Sequence, residues 1–282
     1  MYLGMDTTQT SLPTRRTPGA PSARIRRRAV RSALAAATVT AVLLPTGIGA
    51  GAGASTPAPT VRRAATPTVL FDDEFNASSL DLAKWRPNWL GSSNTAITPP
   101  INGAEKSCYD PKQVSLAYGA LVLTAAARSC TANGHTYSYA SGLVESAGHF
   151  SFTYGRLTAR VYLSGTTSIA NWPAVWTDGS GSWPSTGESD IMEGLGGQAC
   201  WHYHSPSGGP GACVSTIKPG WHTFAERVRP GTTTYYYDGV QVGSTANVGA
   251  PHYIILNLGV GGYGGPIATG APMFVDYIRV TT

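Results

Sequence analysis

Three carboxylate side chains fall within one short segment of the chain, GESDIMEG, at Glu188, Asp190 and Glu193. Alternate side chains of a regular β-strand share a face, so Glu188 and Asp190 are expected to point the same way. Glu193 lies five residues beyond Glu188 and would point to the opposite face. A β-bulge around Ile191-Met192 would add one residue and restore the parity, placing all three carboxylates on one side of the strand.

Carboxyl groups grouped in this way suit the cleavage of glycosidic bonds. A retaining mechanism needs an ionised carboxylate as nucleophile and a second carboxyl as acid and then base, about 5–5.5 Å apart. The two ends of a bulged segment can span that distance, and the mutual repulsion of the acids is rarely tolerated without a use. The alternative is a solvated acidic edge strand, which the neighbouring Trp183-Pro184, Ile191 and Met192 do not favour.

The composition indicates many short strands rather than helices. Only 12% of the residues are charged, and the chain has 34 Gly, 14 Tyr and 7 Trp, a profile that does not fit a helical bundle. Turn pairs such as Tyr118-Gly119, Pro230-Gly231 and Asp238-Gly239 separate strand-like runs. These runs are Val114–Leu116, Ala120–Ala125, Arg156–Leu163, Ala174–Trp176, Ser189–Glu193, Trp201–His204, Trp221–Arg229, Thr233–Tyr237, His252–Leu258 and Phe274–Val280. We predict an all-β antiparallel sandwich whose concave face has a long cleft.

The first part of the chain is typical of an export leader. Residues 1–54 contain seven Arg and one Asp, and they include the apolar run Ala33–Leu44 and the small residues Ala50–Ala54. We expect these residues to be removed on secretion and 55–68 to form a Pro/Thr/Ala linker, which leaves one domain at 69–282. Without residues 1–54 the chain has 13 basic and 14 acidic residues, so no basic surface for nucleic acid is predicted. We expect a monomer that has no membrane contact once the leader is removed.

The four cysteines, Cys108, Cys130, Cys200 and Cys213, all follow the predicted leader. An even number in an exported chain indicates two disulfides. Three pairings are possible, and we favour Cys108–Cys130 and Cys200–Cys213 because each closes a local Gly/Ser-rich loop. A zinc site is the alternative, but no C-x-x-C spacing supports it.

Several ordered blocks resemble glycoside hydrolase family 16, the family of laminarinases, lichenases, agarases and carrageenases, over essentially all of 69–282. The acid segment matches the family's E-x-D-x-x-E signature in the bulged form of its 1,3-glucanase and galactanase branches. The other matching blocks are Phe71–Phe75 with Leu80-Asp81 and Lys84-Trp85, Phe150–Arg156, Asn171–Trp176, Asn257–Gly262 and Val275–Val280.

The resemblance implies a β-jelly roll of two packed sheets with an open cleft. It assigns Glu188 as nucleophile, Glu193 as acid/base and Asp190 as the residue that holds the nucleophile and tunes its charge. Together with the predicted leader, the resemblance implies a secreted, retaining endo-β-glycanase that cleaves β-1,3- or mixed β-1,3/1,4-glucan and needs no organic cofactor. A non-catalytic glucan-binding protein on the same fold is the alternative from another class, and a transglycosylase or galactanase of the family is a further alternative.

Secondary sites also follow from the resemblance. Trp172 and Trp176 share a strand face and are expected to stack on sugar rings, although two core tryptophans are an alternative. The remaining predicted sugar contacts are His202, His204, Asn257, Asn102 and Glu105. Glu74 and Asp276 match the side-chain ligands of the structural calcium that many family members hold on the convex face.

Two departures from the family pattern affect the expected substrate. The early cleft loop of many laminarinases reads N-N-E-x-Q-Y, whereas residues 102–109 read NGAEKSCY. Leu143 stands where the family often presents an arginine in an S-x-R-I strand. The predicted catalytic residues are unaffected, but a specific substrate such as laminarin is not assigned.

Overall fold

The computed structural model describes residues 66–282, which form nineteen strands and one short 3-10 helix, η1 (Pro111–Gln113). The strands are, in chain order, β1 (Val69–Asp73), β2 (Ser107–Tyr109), β3 (Val114–Ala117), β4 (Ala120–Leu123), β5 (Ala125–Ala126), β6 (Cys130–Ala132), β7 (His135–Tyr137), β8 (Tyr139–Ser141), β9 (Leu143–Glu145), β10 (Gly155–Leu163), β11 (Trp172–Gly179), β12 (Glu188–Leu195), β13 (Gln198–His204), β14 (Gly211–Val214), β15 (Gly220–Arg229), β16 (Thr232–Tyr237), β17 (Val240–Thr245), β18 (His252–Gly259) and β19 (Met273–Thr281).

Two large antiparallel sheets build the fold. The eight-stranded sheet has the order β17-β16-β15-β10-β19-β4-β3, with β1 also paired to β19. The six-stranded sheet has the order β14-β13-β12-β11-β18-β9. A three-stranded sheet, β2-β8-β5, and a two-stranded one, β6-β7, complete the described strands. Because β12 has hydrogen-bonded neighbours on both sides, its backbone is held in register along both edges.

The hydrophobic core lies between the two large sheets. Along β10 every second residue is buried, so its other side chains point away from the core. These buried residues pack in one cluster with residues from β11, β12 and β18 of the six-stranded sheet. The cluster includes Leu157, Ala159, Val161, Leu163, Val175, Ile191, Met192, Ile254 and Leu256. The predicted all-β antiparallel sandwich is therefore confirmed.

All ten predicted strand runs lie in or overlap strands of the structure, Ala120–Ala125 being divided between β4 and β5. The Phe150–Arg156 block resembles a strand of the family, but here only Gly155 and Arg156 belong to a strand. Strands β1, β2, β6 to β9, β14 and β17 were not predicted. Most of them have five or fewer residues, too few to show a period-two pattern.

Both disulfides that we favoured are present, Cys108–Cys130 and Cys200–Cys213. The first links β2 to β6 and the second links the paired strands β13 and β14, so the zinc alternative is wrong. The predicted leader and most of the linker, residues 1–65, lie outside the described residues. Within 66–282 no helix has the length and apolar character needed to cross a membrane.

Candidate active site

The predicted bulge is present in the middle of β12. On one side Val175 pairs with Met192 and Trp176 with Asp190, so Ile191 is the additional residue. On the other side the register also shifts between Asp190 and Glu193. Both Ile191 and Met192 belong to the core cluster, which turns Glu193 back to the face that Glu188 and Asp190 occupy.

Glu188 and Asp190 lie at the N-terminal half of this strand. The indole Nε1 of Trp183 donates a hydrogen bond of 2.8 Å to Oε2 of Glu188. The Nε2 atom of His204 lies 3.3 Å from Oδ2 of Asp190 and 3.8 Å from Oε1 of Glu188. An imidazole on the neighbouring strand β13 therefore contacts both carboxyl groups.

Glu193, at the other end of the bulge, has a second indole and a second imidazole as partners. Nε1 of Trp172 donates to Oε1 of Glu193 at 3.0 Å. Nδ1 of His202 lies 3.2 Å from Oε2 of the same carboxyl. The two ends of the acid segment thus have the same pattern of contacts, one tryptophan and one histidine each.

Burial raises the pKa of two of the three acids. For Asp190 burial is the largest cause, and repulsion from Glu193 adds to it, so the pKa lies well above its ordinary value. For Glu188 burial again comes first, followed by repulsion from Asp190, and the pKa is raised as well. The Asp190 side chain is 5% exposed and that of Glu188 is 17% exposed, so ionisation is more costly at Asp190.

A cleft of about 670 Å³ lies over this face of the six-stranded sheet. A smaller recess of about 80 Å³ adjoins it, sharing Trp172, Glu188 and Glu193. All ten predicted catalytic and sugar-binding residues line one or both, including His202 and His204 together. Trp172 and Trp176 are mostly buried, but both reach the cleft wall rather than the core between the sheets.

Among the cleft residues that the sequence did not predict, four have aromatic or acidic side chains, Trp89, Asp178, Trp183 and Tyr263. Asp178 follows Trp172 and Trp176 at even spacing on β11, so the period-two pattern could have found it. Trp89 stacks on Trp176 with ring centroids 5.6 Å apart, although the two are far apart in sequence. Burial raises the pKa of Asp178 to about 6.

A chain of hydrogen bonds fixes the wall beneath the recess. Nε1 of Trp176 donates to Oδ1 of Asn257 at 2.7 Å, and Nδ2 of Asn257 donates to the Tyr109 hydroxyl at 2.8 Å. That hydroxyl donates to Oε2 of Glu105 at 2.6 Å, and the backbone N–H of Asn102 donates to Oε1. Burial raises the pKa of Glu105 to about 7. Asn257 and Glu105 therefore hold Trp176 in place as well as lining the recess.

Another buried glutamate supports β12 from the core side. The Ser189 hydroxyl, between Glu188 and Asp190, donates to Oε2 of Glu226 on β15 at 2.6 Å. Burial raises the pKa of Glu226 from 4.5 to about 7. The native state therefore binds this proton more tightly than the unfolded chain does.

We expect Glu226 to make the protein less stable as the pH rises from about 4.5 to 7. Over this window the unfolded chain loses the proton first, so the free energy of unfolding falls with pH and then levels off above 7. Glu226→Gln, which stays neutral, should remove up to about 3 kcal/mol of this decline. Urea unfolding of both proteins at several pH values measures it, and parallel pH dependences would contradict the assignment.

Two overlapping sets of side chains in the cleft are close enough to share a cation, Glu188, Asp190 and His204, and Asp190, Glu193 and His202. In each set one ligand atom per residue lies within 4.8 Å of the others. Asp190 belongs to both sets and thus lies between the two glutamates. The indole N–H groups of Trp172 and Trp183 donate to the two glutamates and cannot bind a cation, so the contacts match a proton-transfer site better than a cation site.

No protein-family model matches the chain. Among curated proteins, the endo-1,3-1,4-β-glycanase ExsH of Rhizobium meliloti is 26% identical over 238 residues, covering 74% of this chain and 50% of its own. The glucan endo-1,3-β-glucosidase A1 of Niallia circulans is 30% identical over 268 residues, covering 79% and 39%. The chain thus spans half or less of the length of these relatives.

Solved structures have the same fold. SCLam, described as a non-specific endo-β-1,3(4)-glucanase from family GH16, superposes with a TM-score of 0.66 at 24% identity, covering 77% of this chain and 91% of its own. This agreement confirms the β-jelly roll that the resemblance implied.

Proposed function

Because the chain belongs to the laminarinase-like glycoside hydrolases of family 16, we propose that it is a secreted retaining endo-β-glucanase. Its substrate would be β-1,3- or mixed β-1,3/1,4-glucan, as the names of the relatives suggest. The observation that supports this most directly is the bulged strand β12, whose Glu188, Asp190 and Glu193 line a long cleft with indole rings. The sequence pattern of residues 1–54, which predicts an export leader, supports secretion.

In the proposed first step Glu193 gives its proton to the leaving glycosidic oxygen. The Glu188 carboxylate forms a bond to the anomeric carbon as the bond to the leaving sugar breaks. In the second step Glu193, now ionised, takes a proton from water. The water oxygen bonds to the anomeric carbon, Glu188 leaves as carboxylate, and the configuration is retained. The two carboxyl groups supply the chemistry, and no organic cofactor is required.

Asp190 has a proton-holding role in this proposal. We propose that Glu188 and Asp190 together hold one proton. Ionisation costs more at Asp190, which is the more buried of the two, so we assign the proton to Asp190 and the negative charge to Glu188. A neutral Asp190 no longer repels Glu188, while the Trp183 N–H stabilises the Glu188 carboxylate. The nucleophile is thereby ionised in spite of its burial.

Sugar rings would bind along the tryptophans of the cleft. Trp89, Trp172, Trp176 and Trp183 offer ring faces or edges, and Asn102 lies at the rim. His202 and His204 would orient the acid/base and the nucleophile through their contacts of 3.2 Å and 3.8 Å. Leu143 is fully buried, so this position offers no polar contact to a sugar.

A structural calcium does not fit the residues predicted to bind it. Nη1 of Arg160 donates to Asp276 at 2.6 Å, and Nη2 of Arg279 donates to Glu74 at 2.6 Å. Each carboxylate therefore already has a cationic partner that would oppose a second positive charge. We do not extend the proposal to a calcium ion held by Glu74 and Asp276.

Hydrolysis can be tested by offering the purified protein a panel of soluble and insoluble polysaccharides, including β-1,3-glucan, mixed-linkage β-glucan and agarose. Internal cleavage of a β-glucan, with the β-anomer as the first product in NMR spectra, is the expected result. An α-anomer as first product would contradict Glu188 as nucleophile. Binding without any products would favour the non-catalytic alternative, and longer products from an oligosaccharide would favour transglycosylation.

The Trp183 hydrogen bond gives a further prediction. Trp183→Phe retains a ring in the cleft but removes the N–H that donates to Glu188. Because hydrogen bonds to charged groups contribute about 1.5–3 kcal/mol, we expect kcat to fall roughly 10- to 100-fold. The matched control is Tyr263→Phe. It changes another ring of the cleft, but the Tyr263 side chain makes no hydrogen bond to the three acids. An unchanged kcat in Trp183→Phe would show that the bond does not act on the nucleophile.

A further inference from the structure

A second group of aromatic side chains lies on the opposite side of the sandwich from the cleft. Trp221, Tyr162 and Phe274 form a row across the adjacent strands β15, β10 and β19, because the register pairs Tyr162 with both of the others. Their ring centroids are 5.6 to 6.4 Å apart. With Tyr118, Arg160 and Asp276 they form what we call the outer patch.

The outer patch departs from what the solvent face of a sheet usually shows. Such faces are mostly polar, whereas here Trp221 is 41% exposed beside two other rings. The residues that alternate with them, Val161 and Leu163, are fully buried in the core. The aromatic rings are therefore not needed to fill the core, and a grouped exposure of this kind marks a binding surface.

Tyr118 gives an independent reason to assign a ligand. It lies at the tip of the β3–β4 hairpin with φ +58, followed by Gly119 with φ +70, an arrangement that favours Asn or Asp at the first position. Tyrosine is disfavoured in this left-handed conformation, and its side chain is 96% exposed, so it has no packing role. The backbone of Tyr118 is strained, and its exposed ring borders a pocket. Both features are explained if the ring contacts a ligand.

The charges at the outer patch neutralise each other. The Arg160 guanidinium lies over the Trp221 ring, 4.4 Å from its centroid, and donates to Asp276 at 2.6 Å. Neither charge is left over to attract an ionic ligand, while the remaining N–H groups and carboxylate lone pairs can bond neutral hydroxyls. The pocket between Tyr118 and Trp221 has a volume of about 270 Å³. This is slightly below the roughly 300 Å³ at which pockets for drug-sized ligands begin.

From these observations we propose that the outer patch is a second, non-catalytic binding site for a neutral polysaccharide chain. A few sugar units would lie with their apolar C–H faces on Trp221 and Tyr118 and their hydroxyls at Arg160 and Asp276. This inference rests on the proposed function, because the occupant is another stretch of the same β-glucan. The patch would hold insoluble polymer while the cleft cleaves it.

Indole NMR tests occupancy of the patch directly. The described residues contain all seven tryptophans, so the Trp221 Nε1–H signal can be assigned by its loss in Trp221→Phe. Titrating an inactive Glu188→Gln protein with a soluble β-1,3-glucan hexasaccharide should shift the Trp221 signal as well as cleft signals. A Trp221 signal that stays in place while cleft signals move overturns the proposal.

Substitutions separate this site from the cleft and from folding. Tyr118→Asn should make the hairpin turn more favourable, yet together with Trp221→Ala it should weaken retention on insoluble β-1,3-glucan about tenfold, a change of ~1.4 kcal/mol. Turnover of a short soluble oligosaccharide should stay within about twofold. Tyr154→Ala, an exposed ring beyond the other end of β10, is the control and should retain binding.

The outcomes distinguish the two proposals. If glucan is cleaved but the double variant binds insoluble glucan normally, only the second site is refuted. If no glucan is cleaved but another neutral polysaccharide shifts the Trp221 signal, only the proposed substrate is wrong. A lipid surface is the other occupant to test. If the Tyr118→Asn, Trp221→Ala double variant lost binding to lipid vesicles but kept binding to polysaccharide, the sugar assignment of the outer patch would be overturned.

Discussion

Glu188→Ala should lower the turnover of β-glucan by at least about 10⁴-fold, because the residue that forms the covalent intermediate is removed. The fold should remain, since Glu188 faces the cleft and the core side of β12 is held by Ser189, Ile191 and Met192. The measurement is kcat on the polysaccharide, with circular dichroism and thermal unfolding to check the fold.

Chemical rescue makes this prediction specific to a nucleophile. In the alanine variant, azide can occupy the space of the lost carboxylate and attack an activated β-glycoside from the same side. The expected product is an α-glycosyl azide, because only one displacement takes place. Glu74→Gln, which alters a glutamate far from the acid segment in sequence and outside the cleft, is the control and should keep full activity. Near-normal activity of Glu188→Ala would refute the proposed site.

Glu193→Gln should reduce turnover of the polysaccharide by roughly 10²- to 10⁴-fold, the usual contribution of general acid–base catalysis. The loss should be much smaller for an aryl glycoside whose leaving group needs no proton, as long as bond formation to Glu188 limits the rate. The alkaline limb of kcat/KM against pH should disappear for that substrate, since no proton donor is then required.

Comparing the two variants distinguishes the assigned roles from the reverse assignment. If azide gives a β-glycosyl azide in Glu193→Ala, the acid/base is absent and the nucleophile is intact. The α-azide from that variant, together with leaving-group-dependent loss in Glu188→Gln, would exchange the two roles. The matched contacts at the two ends of β12, one indole and one imidazole each, make this comparison necessary.

Local patterns predicted the parts of the molecule that depend on neighbouring residues. The parity of Glu188, Asp190 and Glu193 requires a bulge, and the register of β12 shows one at Ile191. The two disulfides followed from loop composition and from short separations of 22 and 13 residues. Strand alternation likewise located β10, where a regular two-residue burial pattern extends over most of nine residues.

Contacts between distant segments could not be predicted in the same way. Trp89 stacks on Trp176, and Glu105 reaches Trp176 through Tyr109 and Asn257, but no local spacing links these residues. Trp183 lies in an irregular loop, so strand parity gives no direction for its side chain. These contacts depend on the packing of loops over the sheet, which a pattern within one strand does not encode.

The bulge in β12 has a consequence for how such a cleft can diverge. Ile191 and Met192 both face the core and together take the place of one residue, because Trp176 pairs with Asp190 and the adjacent Val175 pairs with Met192. Deleting one of the pair would leave a regular strand whose terminal acid still faces the cleft and still lies opposite Ala174 and Cys200. The gain or loss of one residue at this point is thus a change that the cleft could tolerate, because the spacing of the two acids is set by the neighbouring strands.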